Sequence, residues 1–160
     1  MKNLLLIRHA KSNWDVPNSD FDRDLTDNGI KKSTKCAKAA TFLLNDNSLI
    51  WSSAAVRAFE TSKIFMKCWN LPLHRIEKKQ ELYTFSSFEL EQIVKSCPNE
   101  CENLILFGHN CAITDFVNKF GDNFIDNVPT SGLVSINFET DDWKKLTKGH
   151  INKILFPRDI

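Results

Sequence analysis

Few marks of a specialised protein class are present in this sequence. No apolar run approaches the roughly 20 residues that cross a bilayer. The opening stretch carries one lysine and too short an apolar run for a signal peptide, so a cytoplasmic protein is expected. An excess of one charge is also lacking: 21 Lys and Arg oppose 20 Asp and Glu, for a net +1. No global field would recruit nucleic acid or an anionic membrane, so an anionic ligand must be held by locally placed cations. Cys-x-x-Cys is absent. The five cysteines (Cys36, Cys68, Cys97, Cys101, Cys111) are odd in number and the four histidines (His9, His74, His109, His150) are scattered. That distribution offers no zinc-type cluster and favours reduced thiols. Cys97 and Cys101 flank Pro98 in a turn and read as structural, with a metal or a disulfide as the other options. There is neither an internal repeat nor a low-complexity linker. With 160 residues, 42% apolar and 26% charged, the chain is expected to form a single domain over residues 1–160 with a real core.

What the sequence does contain is a pair of abrupt endings. Leu4-Leu5-Leu6-Ile7 is an unbroken apolar run that suits a strand buried on both sheet faces, and it stops at Arg8-His9. Asn103 to Gly108 repeats the design and stops at His109. Polar side chains at the end of a buried strand are unfavourable unless something polar meets them. In open α/β sheets, ligands sit beyond the carboxyl ends of the strands. A guanidinium forks onto two phosphate oxygens, and an imidazole can attack phosphorus or donate a hydrogen bond to it. Taken singly, Arg8 reads equally as a strand-end ion pair, and His9 or His109 as a satisfied core or capping histidine. Placed side by side, the two strands would bring both histidines to one crevice.

Asp15 to Asp24 reads as a loop over the mouth of the first strand. Within it, Arg23 stands among Asp20, Asp22 and Asp24, either as a surface ion pair or as a third phosphate-side cation held by those carboxylates. Thr26 caps a helix whose apolar face carries Ile30, Cys36, Ala37, Ala40 and Leu44. Its Lys31, Lys32, Lys35 and Lys38 read as a solvated face rather than a nucleic-acid patch. Leu49 to Ser52 suits a strand, followed by a helix from Ser53 to about Trp69. Arg57 lies in that helix's first turn, where a cation opposes the dipole and hints at an anion. Leu71 to Ile76 reads as a short strand. Ser86 caps a further helix with Phe88, Leu90, Ile93 and Val94 inward and Glu89 and Glu91 towards water. Asn110 is placed to cap the helix from Cys111 to about Phe120. Leu133 to Phe138 alternates as a half-exposed strand, and Asp141-Asp142 marks a hairpin bend. The alternation predicts an α/β three-layer sandwich, with a mainly parallel central sheet, helices on both faces and an antiparallel edge.

Leu4 to His9 (LLLIRH), Ser53 to Thr61 (SAAVRAFET) and Phe107-Gly108-His109-Asn110 together resemble the histidine phosphatase superfamily, the phosphoglycerate mutase-like group named for its Arg-His signature. More narrowly, Arg8 to Trp14 (RHAKSNW), Ser19 to Leu25 (SDFDRDL), Gly108-His109-Asn110 and Val128 to Gly132 (VPTSG) are similar to SixA-type phosphohistidine phosphatases, in the same order over nearly the whole chain. The resemblance implies a phosphoglycerate mutase-like fold and a set of roles. His9 would be the nucleophile, Arg8 and Arg57 the clamp on the phosphate oxygens, and His109 a donor to the same oxygens. Arg23 and Asn110 would bind substrate. The superfamily usually places a proton-donating acid near Glu81-Leu82-Tyr83. Here Glu81 is the nearest carboxylate, with Glu77 close by, and a solvent-facing loop glutamate is its other reading.

The activity so implied is a phosphatase without metal or cofactor that forms phosphohistidine on His9 and dephosphorylates phosphohistidine on a partner protein. A P–N bond to a protonated imidazole leaves as a neutral ring and needs less acid help than an ester. The alternatives are a phosphatase of a small phosphorylated metabolite, a non-catalytic phosphate-binding module, and a phosphotransferring mutase. Neither nucleic acid nor membrane is an expected partner.

Overall fold

The computed structural model describes residues 1–160. Strands and helices alternate along it: β1 (Lys2–Arg8), α1 (Asp27–Ala39), β2 (Leu49–Ser53), α2 (Val56–Cys68), β3 (Ile76–Lys79), α3 (Ser87–Lys95), β4 (Asn103–Gly108), α4 (Ala112–Phe120), β5 (Leu133–Phe138) and β6 (His150–Leu155). The strands form one six-stranded sheet in the order β3-β2-β4-β1-β5-β6. Strands β1 to β4 run parallel, and β5 is antiparallel to both of its neighbours. No helix is long and apolar enough to cross a membrane.

The unbroken apolar runs of β1 and β4 serve two cores at once, because successive side chains point to opposite sheet faces. Leu4, Leu6, Leu104 and Leu106 pack under α3 and α4 with Val94, Ile113 and Phe116. Leu5, Ile7, Ile105 and Phe107 pack on the other side with Cys36 and Ala37 of α1 and Phe65 and Met66 of α2. Each such side chain, fully buried, stabilises the fold by about 1.5–3 kcal/mol.

Thr26 caps α1 as expected, its Oγ1 accepting the Gly29 N–H at 2.9 Å. A Cβ on Gly29 would stand 2.5 Å from the Lys11 carbonyl oxygen, so only glycine lets α1 rest on the chain leaving β1.

Several local expectations are corrected. Leu73–Arg75 is a 3₁₀ turn, and pairing with β2 starts only at Ile76, opposite Ile50. Ser53 ends β2 rather than opening α2. Helix α1 stops before Leu44, and Ile30 is exposed. Helix α3 buries Leu90, Glu91 and Val94. Phe88, about 200° around the helix from Leu90, is left in water. Glu91 tolerates burial because its carboxylate pairs with Lys95 at 2.8 Å and Lys119 at 2.6 Å. Strand β5 does not alternate, because it lies inside the sheet between β1 and β6 and is covered on both faces.

Candidate functional site

The site follows from strand register. Pairing of β1 with β4 sets Arg8 opposite Gly108. The next residues, His9 and His109, therefore leave the sheet side by side, with ring centroids 5.3 Å apart. On the far side of β4, the last residue of β2 reaches the same place: Ser53 Oγ lies 2.8 Å from His109 Nε2. The chain then enters α2, which carries Arg57 in its first turn. One helical turn on, Thr61 Oγ1 accepts the Ala10 N–H at 2.8 Å and donates to the Arg57 carbonyl at 2.7 Å. From the β5 side, the Ser131 N–H meets the carbonyls of Arg8 and His9 at 3.2 and 3.1 Å. Ser131 holds a left-handed backbone (φ 64°), and its hydroxyl lies 2.7 Å from that of Ser33 on α1. The backbone of His9 is thus gripped by β4, α2 and the turn before β5.

His9 opens onto a cavity of about 550 Å³ that Arg8, Arg23 and Arg57 also line, with Lys11, Ser12, Trp14, Asp20, Lys32, Phe85, Asn110 and Thr130. The His9 Nδ1 is 2.7 Å from the Ala10 carbonyl oxygen. A carbonyl only accepts, so Nδ1 carries the proton and Nε2 keeps its lone pair. That lone pair faces the Arg57 Nε–H at 3.4 Å. Burial above all, and then the charges of Arg57, Arg8 and Arg23, push the His9 pKa down to about 3 against the pull of the Ala10 contact. Burial, His9 and the Arg57 charge depress His109 as well. Both imidazoles are neutral at physiological pH.

Asp20 ties the cations together. Its Oδ1 accepts from Arg23 at 2.8 Å, its Oδ2 from Arg57 at 3.1 Å, and its main-chain carbonyl from Arg57 at 2.6 Å. The Tyr83 hydroxyl donates to Oδ2 as well. Burial works to raise the Asp20 carboxyl, but Tyr83, Arg23 and Arg57 together hold it below the usual carboxylate range. Three guanidiniums against one carboxylate leave two positive charges, and Lys11 and Lys32 add two more at the cavity wall, a surplus suited to a phosphoryl dianion. Arg23 is further fixed by a bond to Ser12 Oγ and by stacking on Trp14, its Cζ 3.4 Å from the ring centre.

Four buried side-chain nitrogens have no partner: Arg8 Nε, Arg23 Nε, His109 Nδ1 and Trp51 Nε1. All but the last belong to residues of this site.

The structure brings together Arg8, His9, Arg23, Arg57 and Asn110 at the cavity wall. His109 is packed behind His9, only 1% exposed. Asn110 lines the cavity with its amide already engaged. Its Oδ1 accepts from the Thr114 N–H at 3.0 Å, so it satisfies a first-turn donor of α4 from one residue before the N-cap, which is Cys111 rather than Asn110. Its Nδ2 donates to Asn127 at 2.8 Å. Glu81 is not brought in: it is exposed, with Lys79 at 3.8 Å, and does not line the cavity. Lys32 is exposed, as expected of that helix face, and also lines the cavity, since it lies three residues after Gly29, the point where α1 touches the loop. Sequence reasoning placed Asp20 among the carboxylates holding Arg23, which the structure shows at 2.8 Å, but did not foresee its bonds to Arg57 and Tyr83, nor single out Lys11 or Phe85, because those contacts join distant segments.

A mainly parallel sheet ending in an adjacent Arg-His and Gly-His pair defines a phosphoglycerate mutase-like α/β protein. The sequence profile of the histidine phosphatase superfamily (branch 1) matches residues 4–105, and the chain belongs to that superfamily; it is a phosphatase. Solved structures share the fold. A protein of Agrobacterium tumefaciens assigned as the phosphohistidine phosphatase SixA is 23% identical, with 96% of this chain and 97% of that one aligned at a TM-score of 0.78. The protein histidine phosphatase SixA complexed with tungstate is 21% identical, covers 98% of both chains and reaches 0.82. Phosphoserine phosphatase from Entamoeba histolytica, bound to 3-phosphoglyceric acid, is 15% identical over 96% of each chain, at 0.68. No protein with a curated description matches the sequence.

Proposed function

We propose that this single-domain chain is a metal-independent phosphatase that carries the phosphoryl group on His9 and removes it from phosphohistidine on a partner protein. The observation that carries the reading is the set of unpaired donors. Arg8 Nε, Arg23 Nε and His109 Nδ1 are buried without a partner, and each such group is unfavourable by about 1–3 kcal/mol. Ser53 Oγ accepts the Ala55 N–H at 3.2 Å and lies 2.8 Å from His109 Nε2; with the hydroxyl donating to Nε2, the imidazole proton sits on Nδ1. A phosphoryl oxyanion in the cavity supplies acceptors for the two guanidinium donors that line it, and His109 stands directly behind the His9 that would carry the group.

In the first step the Nε2 lone pair of His9 forms an N–P bond while the substrate P–N bond breaks. The electron pair of that bond returns to a ring protonated at its other nitrogen, which departs neutral. Water then attacks phosphorus, the bond to Nε2 breaks, and the two water protons leave with the phosphate. The guanidiniums of Arg8, Arg23 and Arg57 stabilise the equatorial oxygens and hold phosphorus in line, the part a metal ion takes elsewhere.

The choice of phosphohistidine over an ester rests on the acids. Asp20 is held ionised by Tyr83 and two arginines, and Glu81 stands outside the cavity, so neither is suited to protonate an alkoxide. A SixA structure and the Entamoeba phosphoserine phosphatase represent the two substrate classes, protein and small metabolite. The free thiols at all five cysteines are in keeping with a cytoplasmic protein.

Phosphate release from a phosphohistidine protein, p-nitrophenyl phosphate and a few sugar phosphates tests the reading. Phosphohistidine should be turned over fastest, EDTA should leave the rate unchanged, and His9→Ala should abolish it in a folded protein. A near-parental rate for His9→Ala removes the nucleophile. Chelator inhibition reversed by one metal removes the metal-free scheme. Faster turnover of a sugar phosphate moves the substrate to the metabolite class.

A further inference from the structure

The cavity that holds His9 is not only cationic; two aromatic rings also line it. Trp14 is 73% exposed and Phe85 53% exposed, although both sit at a pocket otherwise built of charged and polar groups. Large rings left in water beside concentrated charge call for an explanation, since burial is their favoured state. Neither ring is packed into a core. Trp14 is held by the Arg23 guanidinium stacked on it, and its stretch of chain is pinned by the Asn13 N–H bonded to the Asp24 carbonyl at 2.8 Å. Phe85 packs edge-on against Tyr83 and His109, with centroids 5.7 and 5.6 Å apart. Both rings are therefore positioned by members of the phosphate site itself.

We infer that Trp14 and Phe85 form a leaving-group subsite that receives the planar ring bearing the phosphoryl group. This rests on the reading of the cavity as a phosphatase site and names the residues that would select its substrate. A phosphoryl group among Arg8, Arg23 and Arg57 shares its cavity with Trp14 and Phe85, which are the aromatic surfaces open there to the group that phosphorus carries. A flat ring there stacks on aromatic faces or meets them edge-on, and a protonated imidazole adds attraction to the indole. An alkyl chain offers less of either. The imidazole of phosphohistidine and the phenyl ring of phosphotyrosine share the required planarity.

Binding of non-hydrolysable phosphonates separates this inference from catalysis. Calorimetric affinities are measured for imidazolylmethyl-, benzyl- and propylphosphonate with the parent, Phe85→Leu and Trp14→Leu. The leucine variants keep an apolar side chain and lose the ring. Trp14→Leu also loses its stacking on Arg23, so the readout is the ratio of ring to propyl affinity, since a loosened phosphate clamp lowers both affinities alike. The parent should bind at least one ring phosphonate fivefold or more tighter than propylphosphonate, and each variant should reduce that preference below twofold. A tighter imidazolyl arm names phosphohistidine as the ring, and a tighter benzyl arm names phosphotyrosine. A parent without ring preference, or variants that keep it, overturns the subsite. A preserved ring preference with no phosphate release from any substrate removes the phosphatase reading and leaves the subsite standing.

Discussion

Burial denies His9 and His109 a proton, and the neutral state is the one the proposed nucleophile requires. The same burial makes the fold sensitive to acid. An imidazole in the unfolded chain takes up a proton near pH 6.5, whereas folded His9 does so only near about 3, through burial first and the neighbouring guanidiniums second. His109 is depressed for the same leading reason. Between those limits the unfolded state binds more protons than the folded state, so stability falls as pH falls from 6.5, by up to about 1.4 kcal/mol per pH unit for each histidine. Above pH 6.5 these groups contribute no slope. Asp20 acts lower on the scale: its carboxyl is held down in the folded state, so its contribution is present above the ordinary carboxylate pKa and is lost below it. Thermal melts at pH 7, 6 and 5 should therefore show a falling midpoint in the parent and a shallower fall in His9→Asn, which has no proton to take up at that position. A parent midpoint that is flat from pH 7 to 5 would show that His9 and His109 are not held neutral.

At the scale of elements, the site depends on how closely α1 and α2 approach the chain leaving β1. Gly29 sets the approach of α1. On an exposed helix, Gly→Ala stabilises by roughly 0.4–1 kcal/mol; here the new Cβ would lie 2.5 Å from the Lys11 carbonyl and 3.0 Å from its nitrogen. Backbone cannot swing aside as a long side chain can, and overpacking of this kind costs about 1–3 kcal/mol. Gly29→Ala is expected to lower the denaturant midpoint, and a raised midpoint would show that the contact is slack. Strands β1 and β4 and the approach of Arg57 were legible because they depend on local pattern: an apolar run that stops at a histidine, or an arginine in a first helical turn. Less legible were features set by phase or by partners far along the chain. Phe88 and Glu91 exchanged places because the buried face of α3 is centred on Leu90 and Val94, which four similar apolar residues leave ambiguous in sequence. Asp20 meets Arg57 across 37 positions and Tyr83 across 63, and no spacing rule connects them. Strand β5 was misjudged as half-exposed because its place inside the sheet, rather than its own residues, buries its second face.

Over the whole molecule the charges nearly cancel, at +1, yet their distribution does not. Five cations line the cavity (Arg8, Lys11, Arg23, Lys32 and Arg57) against Asp20 as its single carboxylate. In the proposed reading the arginines contact the phosphoryl oxygens, whereas the exposed Lys11 and Lys32 would act as a local field that draws an anion towards the mouth. Such a field is screened within a Debye length, about 10 Å at 0.1 M salt and shorter above it. Buried, desolvated contacts are screened far less. Raising KCl from about 50 to about 500 mM should therefore raise KM for a dianionic substrate several-fold and change kcat little. In Lys11→Gln/Lys32→Gln the slope of KM against salt should flatten, because the remaining cations are largely enclosed by protein. A parental KM that ignores salt would mean that the two lysines stand beside the cavity without acting on what enters it. A steep slope that survives their removal would move the steering to the arginines themselves, and so make the buried clamp the source of both capture and orientation.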